Sequence, residues 1–159
     1  MAMLGNKESI SSLSNCVVIK SPIDSYGGIL FTDQQLAQLC KRRCGVGFDI
    51  STLRPQGAPV KNAAGTSSGV VSFMERFSNT TREVSQNGRR GALMLTMDVA
   101  HPDIESFITA KQDLTKVTGA NISVRISNEF MSRNYFSYRE SKKKKYPDYG
   151  RNVNLISIN

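Results

Sequence analysis

Three stretches hold side chains able to grip a charged, hydroxylated ligand. Asp24 and Ser25 offer oxygens that hydrogen-bond hydroxyls. Arg54 and Lys61 lie in a loop with Pro55, Gly57, Pro59 and Gly65 and can hold phosphates. In SQNGRRGAL, residues 85–93, Arg89 and Arg90 are bracketed by Gly88 and Gly91. Arginine planes stack on a base or hydrogen-bond to it, and glycine lets backbone come close to a ligand. The same Arg-Arg-Gly also serves an ordinary solvated turn. Together the three stretches point to a nucleotide held by loops at one end of a sheet.

Other chemistry is scarce. His101 is the sole histidine and precedes Pro102, and reads as structural or surface rather than as a general base. No Ser-His-Asp set and no metal cluster can be assembled. GVG at 45–47 is not GxGxxG, and no Walker loop occurs. Cys16, Cys40 and Cys44 are an odd number with only a weak Cys40-x3-Cys44 spacing, so reduced thiols are the default.

These residues need elements to position them. Residues 1–14 are polar and Ser-rich and are expected to be poorly ordered. CVVI, 16–19, suits a short strand, and PIDSYGG, 22–28, suits a loop. Thr32 or Asp33 can cap a helix over 34–43. GVGFD, 45–49, reads as a strand and 51–65 as a long loop. Val70, Phe73, Met74 and Phe77 recur at helical spacing between Gly69 and Val84. ALMLTM, 92–97, reads as a buried strand, and Pro102 can begin a helix over 103–111. NISVRI, 121–126, alternates like a strand, and Ser127 can cap a helical turn through Met131. Strands alternating with helices predict an α/β fold with a largely parallel sheet.

A chain of 159 residues can bury one real core. No apolar run is long enough to span a membrane, and no signal-peptide pattern opens the chain, so the cytoplasm is expected. The net charge of +8 sits mostly in the tail. Residues 132–159 carry seven Lys or Arg against two acidic residues, and the rest of the chain nets only +3. That distribution suits a solvated basic tail better than a nucleic-acid groove.

SNCVVIKSPIDSYGGI, KRRCGVGFDISTLRP, GVVSFMERFSNTTREVSQNGRRGALML, HPDIESFI and KQDLTKVTGANISVR resemble the large catalytic chain of ribonucleotide reductase, in the branch shared by class I alpha subunits and adenosylcobalamin-dependent class II enzymes. The likeness runs from about Gly5 to Met131. It implies part of a ten-stranded α/β barrel, most of its first five-stranded half, over 15–131, with 132–159 as a divergent basic tail.

The resemblance also implies roles. Asp24, Ser25 and Tyr26 match the ribose and base region of an allosteric dNTP or ATP effector, Arg54 matches a phosphate ligand, and Lys61 sits where a second basic ligand is found. Gln86, Asn87, Gly88, Arg89 and Arg90 match the specificity loop between effector and substrate, with Arg90 reaching the substrate. Cys16 matches one of two redox cysteines, while Asn15 and Gly45 match residues at the ribonucleotide. Cys44 is read as a tolerated small residue and Cys40 as core.

The family's radical cysteine, the redox partner of Cys16 and the C-terminal cysteine pair have no counterpart here. The expectation is a truncated, split or interrupted alpha chain, inactive alone, that needs the remainder of the barrel and forms a homodimer. No cofactor is expected on this segment. The full enzyme's radical would come from a metal-containing beta subunit or from adenosylcobalamin. The alternative expectation is a non-catalytic dNTP- or ATP-binding remnant.

Overall fold

The computed structural model describes residues 15–62, 64–84, 91–132 and 157–158. Strands β1 (Cys16–Val18), β2 (Gly45–Asp49), β3 (Ala92–Asp98) and β4 (Asn121–Arg125) pair in sequence order, all parallel. Helices α1 (Tyr26–Lys41), α2 (Val70–Glu83) and α3 (Ile104–Thr109) connect them. A two-residue strand β5 (Ser157–Ile158) runs antiparallel beside β4.

Sequential parallel order has a topological consequence. Right-handed crossovers between successive neighbours put every helix on the same side of the sheet. One sheet face carries Val46, Phe48, Leu93, Leu95, Met97 and Ile122, all buried in a single core with Leu36, Met74, Phe77 and Phe107. The other face carries Cys16, Val18, Gly45 and Gly47, and Val18 is 86% exposed. One covered and one open face is what part of a barrel presents, so the expected half-barrel architecture holds.

The start of α1 and several element ends depart from the sequence expectations. α1 begins at Tyr26, not Gln34, because Ser25 caps it by accepting a hydrogen bond from the Gly28 N–H at 3.1 Å. Gly27 and Gly28, read as loop residues, therefore lie in its first turn. A Cβ at Gly28 would stand 2.5 Å from the Ile23 carbonyl oxygen, so packing rather than turn geometry calls for glycine there. Thr32 and Asp33, expected as caps, are buried mid-helix. Asp33 instead accepts from Arg76 Nε at 3.0 Å and Thr80 Oγ1 at 2.6 Å, tying α1 to α2. α3 is shorter than expected, 104–109. β3 runs one residue further, to Asp98, while β1 and β4 end one residue earlier.

α1 ends in a Schellman turn. Arg43, at φ 65°, donates its N–H to the Cys40 carbonyl and Cys44 donates to the Leu39 carbonyl. This turn delivers the chain directly into β2. Ser127 caps the helical turn over 128–132 as expected, its hydroxyl accepting from Phe130 N at 3.1 Å.

Candidate functional site

The C-terminal ends of β1 and β2 open into loops that lead to the N-termini of α1 and α2. A cleft of about 300 Å³ lies there, at the lower end of the range for small-ligand sites. It is lined by Asp24, Ser25 and Tyr26 from the start of α1, by Arg54 and Lys61 from the β2–α2 loop, and by Phe73 of α2. All five residues expected at an effector thus line one cleft, although they come from segments about thirty positions apart.

Arg54 organises the wall. Its Nε donates to Asp24 Oδ2 at 2.8 Å and its backbone N–H to Oδ1 at 3.3 Å. Its Nη1 donates to the Pro59 carbonyl at 2.9 Å, and Nη2 to the Asp24 carbonyl at 3.4 Å. Thr52 Oγ1 donates to the Pro22 carbonyl at 2.7 Å, which joins the same two segments again. The Ser25 oxygen accepts the helix cap and keeps its own proton to donate. Lys61 is exposed and makes no ion pair with a described residue. Two cations, one lining carboxylate and the N-terminus of α1 give the cleft a positive field suited to an anion. Tyr26 and Phe73 meet edge to face, ring centroids 6.1 Å apart, offering an aromatic surface beside the polar wall.

Phe73 was legible only as part of a helical apolar stripe. Val70, Met74 and Phe77 of that stripe are fully buried, whereas Phe73 turns to the cleft. Asn62, Ser67 and Ser68, also in the lining, carry no periodic signal that would have singled them out.

The expected substrate residues gather at the opposite end of the sheet. Asn15 accepts the Gly45 N–H at 2.7 Å, and Cys16 pairs with Gly45 in register. Cys16 is exposed, and Cys40 and Cys44 are buried. A Cβ built on Gly45 would meet Cys16 Sγ, the Asn15 carbonyl oxygen and Ala92 Cβ, each at an ordinary 3.5 Å. The chain's own packing therefore does not demand glycine at 45; there is room for a methyl in contact with the thiol. Ala92 pairs with Gly45 on its other side, so Cys16, Gly45 and Ala92 form one transverse row. Gln86, Asn87, Gly88, Arg89 and Arg90 lie outside the described residues. Gly91, which follows them, is wedged against Thr81 and Cys40; a Cβ there would stand 2.8 Å from Thr81 Cγ2 and 3.2 Å from Cys40 Sγ.

His101 is a structural residue. It is buried, its Nε2 lies 2.9 Å from the Leu53 carbonyl oxygen, and its Nδ1 accepts the Asp103 N–H at 3.1 Å. On the open sheet face, Arg125 bridges Asp49 at 3.2 Å and Asp98 at 3.0 Å, a network that sequence reasoning did not find. Hydrogen bonding from the Ala100 N–H, aided by Arg125, holds the Asp98 carboxyl below the usual carboxylate range. No described helix is long and apolar enough to cross a membrane.

A family model described as the ribonucleotide reductase barrel domain matches residues 14–144, a span that runs beyond Met131. The vitamin B12-dependent ribonucleoside-diphosphate reductase of Mycobacterium tuberculosis (strain CDC 1551 / Oshkosh) is 37% identical over 132 residues, 81% of this chain and 19% of the relative. A Thermoplasma acidophilum protein of the same description is 39% identical over 127 residues, 78% of this chain and 16% of the relative. The ribonucleoside-diphosphate reductase large chain 2 of Saccharomyces cerevisiae is 34% identical over 102 residues, 63% of this chain and 12% of the relative. The chain spans about a fifth or less of the length of these relatives.

Proposed function

The chain belongs to the ribonucleotide reductase family, and we propose that it carries the effector-binding wall and one redox cysteine of a ribonucleoside-diphosphate reductase alpha chain. The observation that carries this reading is the gathering of Asp24, Ser25, Tyr26, Arg54 and Lys61 around one cleft. In it, Asp24 and Ser25 take the ribose hydroxyl of a dNTP or ATP, Arg54 and Lys61 face the phosphates, and Tyr26 borders the base.

The reaction of the assembled enzyme replaces the ribose 2′-hydroxyl by hydrogen in a cytoplasmic pathway to DNA precursors. Cys16 and a partner thiol supply two electrons and two protons; the hydroxyl leaves as water and the two sulfurs join as a disulfide. Asn15 and Gly45 flank the ribonucleotide beside Cys16. Gln86, Asn87, Gly88, Arg89 and Arg90 form the specificity loop, with Arg90 at the substrate. The loop enters β3 at Ala92, beside Gly45, which supports this placement.

The reaction needs the remainder of the barrel and a radical source, either a metal-containing beta subunit or adenosylcobalamin. A corrinoid is far larger than a cleft of about 300 Å³, and no residue of this chain is assigned to it. A homodimer suits the exposed apolar side chains around the start of α1, Ile23, Tyr26, Leu30 and Phe31, of which Tyr26 lines the cleft.

Calorimetric titration of the chain with dTTP, dGTP, ATP and thymidine tests the reading. Saturable binding of the triphosphates, with thymidine far weaker, supports it. Equal or absent binding of all four overturns it.

A further inference from the structure

The segment between β3 and α3 grips the cleft-forming loop from behind without lining the cleft. Both oxygens of Asp103 lie within hydrogen-bond reach of the Gln56 N–H, at 3.2 and 3.0 Å. Oδ2 also accepts from the N–H of Val70, the first residue of α2, at 3.2 Å. His101 holds the Leu53 carbonyl through Nε2, and its Nδ1 accepts the Asp103 N–H, which fixes the neutral Nε2–H tautomer. Leu53 and Gln56 stand on either side of Arg54 and Pro55. The turn that presents Arg54 is therefore anchored at both ends by His101 and Asp103.

α2 needs this outside help. Its cap residue, Gly69, lies at φ +84°, where L side chains are strained. A Cβ there would also stand 2.8 Å from Gln56 Cβ. No Ser, Thr or Asp fits at that position to cap the helix from within. Asp103 supplies the missing acceptor from another element, and the same carboxylate fixes Gln56. One side chain thus couples the N-terminus of α2 to the loop that carries Arg54.

We propose that His101 and Asp103 are positioning residues that preset the Arg54 loop for its ligand, so that nucleoside triphosphate affinity depends on two side chains outside the cleft. The inference rests on the reading of the cleft as an effector site.

The test combines amide hydrogen exchange with dTTP calorimetry on the full chain and on its Asp103→Ala, Asp103→Asn and His101→Phe variants. Losing a carboxylate that accepts from two backbone amides should speed exchange at Gln56 and Val70 by about tenfold or more. Exchange across residues 93–97 of β3 should stay unchanged. dTTP affinity should fall about tenfold in Asp103→Ala, with Asp103→Asn, which keeps a neutral acceptor, in between. His101→Phe should loosen Leu53 to Gln56 in the same selective way. Unchanged exchange at Gln56 and Val70, or a rise spread equally over β3, overturns the clamp. Selective loosening with dTTP affinity intact overturns the dependence of affinity on the two positioning residues. If the unsubstituted chain binds no dTTP, the effector reading falls, and with it the link to affinity; the exchange pattern then still decides whether the clamp holds the loop.

Discussion

The Asp24 carboxylate accepts two hydrogen bonds from Arg54, thirty residues away: from Nε to Oδ2 at 2.8 Å and from the backbone N–H to Oδ1 at 3.3 Å. The first depends on the side chain and the second on the backbone, so the loop after β2 is fixed to the start of α1 in both position and orientation. The pair makes one wall from two segments and sets a carboxylate beside a cation.

Replacing Arg54 with alanine should separate binding from stability. The ion pair is about one-third exposed on each side, 36% and 34%, so its loss should cost no more than about 1 kcal/mol of folding free energy. Nucleoside triphosphate binding should nevertheless be lost. Arg54→Lys keeps the charge but not the fork that reaches both Asp24 and Pro59, and should restore it only in part. Urea unfolding and calorimetry on the same samples distinguish the two effects.

Gly45→Ala should fold at least as well as the parent. The added methyl meets only ordinary contacts at 3.5 Å, and removing a strand glycine is worth about 0.5–1 kcal/mol. Because Cys16 Sγ is one of those contacts, alkylation of Cys16 should slow. An unfolding midpoint that drops sharply would show that the glycine serves the chain's own packing.

Thiol reagents should modify Cys16 before Cys40 or Cys44. Cys16 is exposed and the other two are buried. Burial, with a smaller contribution from nearby Cys44, pushes the Cys40 thiol above its ordinary value. A raised folded-state value means that this contribution to stability is complete below the ordinary thiol range. It is lost as pH climbs through the raised value. Timed alkylation read by mass mapping, and unfolding across the alkaline range with Cys40→Ala, check both statements.

Asp98 predicts the acid limb. Its carboxyl is held low chiefly by the Ala100 N–H, with help from Arg125. A depressed folded-state value stabilises the fold above the ordinary carboxylate range, and that stability disappears as pH falls through the lowered value. Asp98→Asn should therefore flatten the loss of stability with acid, measured by denaturant unfolding at stepwise lower pH.

Much of this arrangement was legible along the chain. Short strand-like runs marked β2 and β3 and helical spacing marked α2, and each buries one regular face: Val46 and Phe48, then Leu93, Leu95 and Met97, then Val70, Met74 and Phe77. The start of α1 was not legible. Gly27 and Gly28 are ordinary turn residues by type, and only contact with Ile23 explains Gly28. Asp33 looks like a cap and is instead an interhelix ligand for Arg76 and Thr80. Likewise, nothing near Asp103 in sequence announces that its partners are Gln56 and Val70, 47 and 33 residues away. Local patterns encode faces; the cleft depends on which faces meet.

The most direct measurement is the thermal unfolding midpoint of the full chain, with and without millimolar dTTP, dGTP and ATP. A ligand that binds only the folded state stabilises it by about 2.7 kcal/mol at a hundred times its Kd. The expected result is a cooperative transition that at least one nucleotide moves upward and that no longer moves after Arg54→Ala. A cooperative transition that none of the three nucleotides shifts would contradict it.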